Sequence, residues 1–569
     1  MPPNAVQPNG WVALKLPSSI VRVLQATPNT TISLGKYGSF PSNLIIERPF
    51  YLTYEVQEKR KGENFSRLRV VTGQELNADT LADANADDNV ADGDDLIMAE
   101  NGEEFSLVDE SGKVVARSNR EIIDDSARQT LTSAEIEELK RKGASAGKEL
   151  IAKLMLSHTA IDQKTAYSLA KYKLLKEKKF LRRFTVLPLD VTMLAQWMLE
   201  DRDASKILEM RQETMALVGC WADVHFGGLP AETLSSPHGG RWLAIDDASG
   251  LLVASMAERM GILHQDPKED QDPKEDEQSQ PHKRATPVAC PGDGQGDKAP
   301  PSPHAERNPR KRHHGGDLDD HYALTNSITL IHSNTQPNLS LLRYFDFDVT
   351  DPNPPHPYHP LFTNLLPLSW LQLLRPEEDC AYTDKPEDVP DEELATWKTN
   401  RRGNYHRKRR RWARTRQIVD TARAGGFSGL AVASTMDPVS ILRHTLPLLA
   451  GGSPIAIYSS SIEPLTQLVD CFSIARRAAW IQSPPTTGTA AELDRWEGSA
   501  EFPVNPTLVL GASVQTSRAR RWQVLPGRTH PIMTARGGPE GYVFTGWRAL
   551  PAEGRVSARG KFQKKKTAE

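Results

Sequence analysis

Cysteine is scarce in this chain: Cys220, Cys290, Cys380 and Cys471 are the four in 569 residues, and none belongs to a CxxC pair or a Cys/His cluster. That scarcity excludes a disulfide framework and a zinc knuckle, and it fits a reducing compartment. Long apolar runs are missing too. No stretch approaches the roughly 18 residues a membrane span needs, and MPPNAVQPNG lacks the basic and apolar regions of a secretion signal. The expectation is a soluble intracellular protein with no membrane partner. HExxH and Walker motifs are also absent, which removes the zincin and P-loop classes.

The formal net charge of -3 conceals segregation, because residues 75–110 carry many acids and no Lys or Arg while basic runs dominate elsewhere. Hydrophobic residues make up only 38% of the chain, so polar segments must dilute folded regions of ordinary composition. At this length more than one domain is required.

The pattern predicts an α/β plus β architecture. Residues 1–125 read as a β-rich, barrel-like domain, with WVALKLPSSIVRVLQA, TTISLGKYGSF and NLIIERPFYLTYEV as strands and an acidic loop at 75–110. A helical, basic linker follows over 126–184; its TSAEIEELKRKG opens with Thr132 and Glu135 at capping-box spacing and closes at Gly143. Over 185–550, RWLAIDDASG, SITLIHSN, SGLAVAS, SPIAIYSS and TLVLGAS alternate with helical stretches, as in a doubly wound Rossmann-like sheet. Two insertions with disordered composition interrupt it near 264–316 and 375–416, and 551–569 form a basic tail.

Within DQKTAYSLAKYKLLKEKKFLRRF, Tyr167, Ala170, Leu174 and Leu181 fall on one helical face. Lys171, Lys173, Lys176, Lys178, Lys179, Arg182 and Arg183 cover the rest, offset by Glu177 alone. A face of one sign points to RNA or phosphate; a solvated helix surface is the plainer alternative. The run NRRGNYHRKRRRWARTRQ, around Arg409, leaves three readings open: a nuclear-import signal, an RNA-binding arm, or a solvated helical extension.

AIDDASGLL raises the question of a cofactor. A doubly wound methyltransferase or dehydrogenase ends its first strand in a glycine-rich turn, because only glycine lets backbone approach the ligand closely. Here the turn has one late glycine, Gly250, and puts Asp246 and Asp247 where small residues are wanted. The next strand ends in His332, Ser333 and Asn334, where an acid for the ribose hydroxyls is needed; Asp346 and Asp348 are later substitutes. Asp437-Pro438 in STMDPVS fits either a strand-end catalytic acid or a helix cap.

The block SNREIIDDSARQTLTSAEIEELKRKGASAGKELIAKLMLSHTAIDQKTAYSLAKYKLLKEKKFLRRFTVLP, with WQVLPGRTHPIMTARGGPEGYVFTGW near the C-terminus, resembles a known family. It is similar to the non-catalytic subunit of the eukaryotic tRNA (adenine-N1)-methyltransferase that makes T-loop 1-methyladenosine, a subunit also named for translational control. The resemblance implies a degenerate Rossmann-like methyltransferase domain that binds no cofactor itself, with S-adenosylmethionine in a homologous catalytic partner. It further implies a nuclear heterotetramer of two plus two subunits gripping tRNA. Carried over by the same likeness, the RNA-binding residues are Ser118, Asn119, Arg120, Lys171, Lys173, Lys178, Lys179, Arg182 and Arg183. Arg528 and His530 match a family motif that Pro526 and Gly527 would hold as a turn. An active methyltransferase with a divergent cofactor loop, or an RNA-binding scaffold for translation initiation, remain the alternatives.

Overall fold

β1 (Trp11–Lys15), β2 (Val21–Gln25), β5 (Thr53–Val56), β6 (Leu68–Val70) and β7 (Arg183–Pro188) build an antiparallel sheet in the order β2-β1-β7-β5-β6. The computed structural model describes residues 4–57, 65–76, 131–132, 134–136, 146–157, 166–226, 240–264, 326–348, 359–483, 488–517, 519–525, 528–531 and 539–551. Residues 77–110 of the acidic loop, the first insertion from 265, Gly143, the SNRE residues and the basic tail from 552 lie outside them. A ribbon of β3 (Thr31–Ser33) and β4 (Ser39–Pro41) shares the core of that sheet. Phe40 of the ribbon stacks on Phe184 of β7 at 4.9 Å, and Tyr54 of β5 stacks on the same ring at 5.5 Å.

β7 moves a domain boundary. The sequence pattern starts the α/β domain at 185, yet β7 pairs with both β1 and β5 and belongs to the first domain. Strand alternation then joins the two domains. Val12, Leu14, Phe184 and Val186 face the first core, while Trp11, Ala13 and Leu187 pack into the second. Helix Val191–Asp201 opens the α/β domain, capped by Asp190, whose carboxylate accepts from the Met193 amide at 2.6 Å. Its last residue, Asp201, reaches back to accept from the Val21 amide at 3.0 Å.

The second sheet comprises β8 (Arg241–Asp246), β9 (Ser327–His332), β10 (Leu365–Ser369), β11 (Gly429–Ala433), β12 (Pro454–Ser459), β13 (Val509–Gln515) and β16 (Tyr542–Arg548). Their order is β10-β9-β8-β11-β12-β16-β13, parallel except for β16, which is antiparallel to both neighbours. Numbered within the sheet this is 3-2-1-4-5-7-6, the methyltransferase form of the doubly wound fold. Trp242 and Ala244 point to the helices at Val191–Asp201, Gln212–Trp221 and Leu251–Arg259. Leu243 and Ile245 point to those at Pro438–Thr445 and Glu463–Cys471. A short hairpin of β14 (Trp522–Leu525) and β15 (Arg528–Pro531) stands apart from the sheet.

Composition predicts disorder across 375–416, and here the structure differs. Short helices at Cys380–Thr383 and Asp391–Thr396 lead into one helix over Thr399–Arg423. Ile418, Val419 and Ala422 bury its last turns, and Arg241 donates to the carbonyls of Thr421 and Gly425 at its C-terminus. Those contacts, supplied by a strand 180 residues away, hold a run whose own composition favours solvent. No helix among the described residues is long and apolar enough to cross a membrane.

Because Phe184 is fully enclosed on a strand that borders both cores, Phe184→Ala should destabilise the chain by about 3–5 kcal/mol. Urea unfolding should show the far-UV circular dichroism and tryptophan fluorescence midpoints moving down together; a fluorescence midpoint that stays put would mean the domains unfold independently.

Candidate cofactor cleft and nucleic-acid interface

At the end of β8 the Asp246 carboxylate turns inward and is 6% exposed. Oδ1 accepts from the Ala248 amide at 2.7 Å and Oδ2 from the Val253 amide at 2.9 Å. Desolvation by burial pushes its pKa up to about 6, the amides and nearby Asp247 acting less strongly. The chain then turns sharply, with φ of 60° at Ser249 and 91° at Gly250.

Segment 338–345 lies across this turn. The Leu341 amide donates to the Ser249 carbonyl at 3.1 Å, the Ser249 hydroxyl donates to the Lys206 carbonyl at 2.9 Å, and Asn338 Nδ2 donates to that hydroxyl at 3.3 Å. A Cβ on Gly250 would meet the Leu339 Cα at 3.1 Å. Leu339, Leu341 and Leu342 are buried. A cofactor turn must leave its amides and the space above them to the ligand. Two of the amides here are taken by a carboxylate of the same loop and the space by leucine, so these residues do not fit S-adenosylmethionine.

The other cofactor candidates fare no better. His332 ends β9 buried, with Nδ1 donating to the Asn334 carbonyl at 2.7 Å and its pKa lowered by desolvation. Asp346 and Asp348 alternate with buried Phe345 and Phe347 and stand on the solvent side of their segment. Asp437 caps helix Pro438–Thr445, accepting from the Val439 and Ser440 amides at 3.3 and 3.0 Å. Asp247 is held by the Ser434 hydroxyl. Among the described residues no group of three His, Cys, Asp or Glu could hold a metal ion.

The lysine helix, Ala166–Phe180, is where charge gathers. Lys171 and Lys179 are exposed, and Lys173, Lys176, Lys178 and Arg182 are half-exposed. The Lys176 ammonium lies over the Tyr172 ring at 4.6 Å and the Lys179 ammonium over Phe180 at 5.4 Å, so each cation rests against an aromatic face. The Tyr37 hydroxyl donates to the Lys178 carbonyl at 3.1 Å, and the Val56 amide donates to the Arg182 carbonyl at 2.8 Å. These bonds lay the helix end on the β-domain. Between them opens a cavity of about 340 Å³ whose lining includes Lys15, Ser19, Glu177 and Lys178.

Arg183 lines that cavity but is not part of the exposed helix surface. The helix stops at Phe180 and Arg183 begins β7, 7% exposed, with Nε 3.5 Å from Glu55 and Nη2 4.0 Å from Glu75. A buried, neutralised guanidinium holds the sheet together and leaves phosphate to its neighbours. Ser118, Asn119 and Arg120 lie outside the described residues. Thr132 and Glu135 make the predicted capping box, the Thr132 amide donating to the Glu135 carboxylate at 2.8 Å and the Glu135 amide to the Thr132 hydroxyl at 3.3 Å. His530 sits in the β14–β15 hairpin, with Nδ1 donating to the Pro531 carbonyl at 3.0 Å; Pro526 and Gly527 between the strands are outside the described residues. Lys15 and Tyr37 escape sequence reasoning, because no spacing rule links residues some 140 positions from the helix they meet.

A family model described as the Gcd10p family matches residues 5–398. This chain belongs to the Gcd10p family. Within the family it is similar to the protein of Aspergillus fumigatus called tRNA (adenine(58)-N(1))-methyltransferase non-catalytic subunit, at 44% identity over 99% of this chain and 95% of that one. The Aspergillus oryzae protein of the same description is 44% identical over the same shares. Among solved structures, the tRNA (m1A58) methyltransferase of Aquifex aeolicus aligns with 96% of this chain and 99% of its own at 8% identity and a TM-score of 0.35.

Asp246 gives the cleft a pH signature. Between about pH 4 and 6 the unfolded chain ionises this carboxyl while the folded chain keeps it neutral, so stability falls as pH rises. Relative to Asp246→Asn, the unsubstituted chain should lose about 3 kcal/mol across that window in denaturation series. A constant difference between the two would place the ionised carboxylate comfortably in the turn.

Proposed function

We propose that this chain is the non-catalytic, tRNA-binding subunit of a tRNA (adenine-N1)-methyltransferase, positioning tRNA while a homologous catalytic subunit forms 1-methyladenosine in the T-loop. One observation carries the reading: the turn after β8 is closed by its own carboxylate and by Leu339. The full-length relatives described as non-catalytic subunits support it. S-adenosylmethionine then belongs to the catalytic partner, in a nuclear heterotetramer of two plus two subunits. An active enzyme using Asp437 is disfavoured, since that carboxylate is engaged in capping its helix.

The chemistry explains why a partner without a cofactor is useful. An adenine N1 in folded tRNA is reachable only when the base leaves its stack, and holding the distorted RNA calls for a basic surface reading shape and phosphate. Lys171, Lys173, Lys178, Lys179 and Arg182 supply such a surface, and Ser118, Asn119 and Arg120 are assigned to the same interface.

Calorimetry should register S-adenosylmethionine binding by the co-expressed complex and none by this chain alone; micromolar binding by the isolated chain would overturn the proposal. Reversing Lys178, Lys179 and Arg182 to Glu should weaken tRNA binding by the complex and lower its salt slope by roughly 2 to 3. Arg183→Glu should act differently, unfolding the β-domain by stranding charge beside Glu55. Unchanged affinity in a folded triple variant would remove the lysine helix from the interface.

A further inference from the structure

The family match ends at residue 398, and the arginine helix Thr399–Arg423 begins at the next residue. This helix carries ten cations, nine Arg and Lys408, against one carboxylate, Asp420. Arg407 and Arg411, and Arg410 and Arg414, stand one turn apart on it, an arrangement of like charges that weakens a helix. The acidic segment before it answers part of that charge: Asp388 pairs with Arg409 at 2.9 Å. Arg402, Arg407, Lys408, Arg410 and Arg411 are exposed. No ion pair is made to any of those five within the described residues.

Beside these cations lies a cavity of about 570 Å³, within the range of ligand pockets, about 300–1,000 Å³. Its lining brings together the rings of Trp397, Tyr405 and Trp412, the cations Lys385, Lys408 and Arg411, and the carboxylates Asp384 and Glu387. All three rings are half-buried, so each keeps part of its surface open. They are firmly set: Trp397 meets Tyr405 edge-on at 5.7 Å, the Tyr405 hydroxyl donates to the Glu387 carbonyl at 3.0 Å, and Trp412 Nε1 donates to the Tyr382 carbonyl at 3.0 Å. The Arg401 guanidinium already stacks over Trp397 at 3.9 Å, showing that the ring accepts a flat, delocalised partner.

We infer that the arginine helix and this aromatic cavity form a second RNA-binding surface that takes an unpaired nucleotide of the bound tRNA. The base stacks among Trp397, Tyr405 and Trp412, and the flanking phosphates run along Lys408, Arg411 and Arg407. Aromatic platforms beside a basic track are the physical recipe for single-stranded RNA, whereas a bare charge run would serve any polyanion. A receptor that reads basic runs as extended peptide would have to unwind a helix anchored by Ile418, Val419 and Ala422. The inference rests on the tRNA-binding function proposed above.

The test uses the full chain with its catalytic subunit, fluorescent tRNA and a 12-nucleotide oligoadenylate. Reversing Arg407, Lys408 and Arg411 to Glu should weaken tRNA binding about 10- to 100-fold near 0.1 M salt and lower the salt slope by about 2.7. Glutamine at the same positions, which relieves like-charge crowding and keeps the helix, should weaken it in the same direction. Trp397→Ala should cut oligoadenylate affinity about tenfold and leave the salt slope alone. Normal binding by the arginine-helix variants, beside loss in the lysine-helix variant, would overturn this inference and leave the proposed function standing. Failure of the unsubstituted complex to bind tRNA would overturn both. Normal tRNA binding with lost nuclear accumulation would make the helix an import signal instead and would overturn the inference.

Discussion

A carboxylate cannot sit in a protein interior without donors, and Asp246 finds them in the turn that follows its own strand. The amides of Ala248 and Val253 are consumed in meeting it. Much of the chain's character follows from that one local solution. With those amides engaged, segment 338–345 can settle over Gly250, and its leucines complete the core on that face of the sheet. The sheet keeps the strand order of a methyltransferase, and the turn after β8 is occupied by its own carboxylate and by leucine.

Freed from chemistry, the fold serves as a mount. β7 is the central member of the first sheet and also borders the second core, and the lysine helix feeds directly into it. Load on that helix therefore passes into the first sheet through backbone hydrogen bonds and into the second core through side-chain packing. Tyr37 and Arg183 brace the junction from opposite sides, one by donating to the helix's last turn and the other by pairing with Glu55 inside the sheet.

Much of this was legible in the sequence because it depends on local pattern. Five of the seven strands of the large sheet show as short apolar runs, and the lone glycine of AIDDASGLL announces a degenerate turn. β10 stayed hidden behind Pro367, which an edge strand tolerates and a propensity reading penalises. β16 was hidden for another reason, since an antiparallel strand returning to the middle of a parallel sheet obeys no βαβ spacing. Arg183 was misplaced because charge periodicity continues past Phe180 while the backbone switches from helix to strand. Composition favours disorder over 375–416 and leaves a helical extension as one of three readings of the basic run, because the helix's anchors, Arg241 and the 379–398 segment, are tertiary. Burial of a carboxylate against its own loop leaves no signature in residue order.

The place of β16 also bears on how the protein is made. β12 exposes an unpaired edge until residues 542–548 have left the ribosome, and β13, synthesised earlier, has nothing to pair with until then. At roughly 5–20 residues per second, the interval between completing β12 and completing β16 is several seconds. Throughout that time the nascent chain carries an open parallel sheet with an apolar edge, the form most prone to pair with other chains. The edge of β12 is therefore the part of the growing sheet that stays open longest.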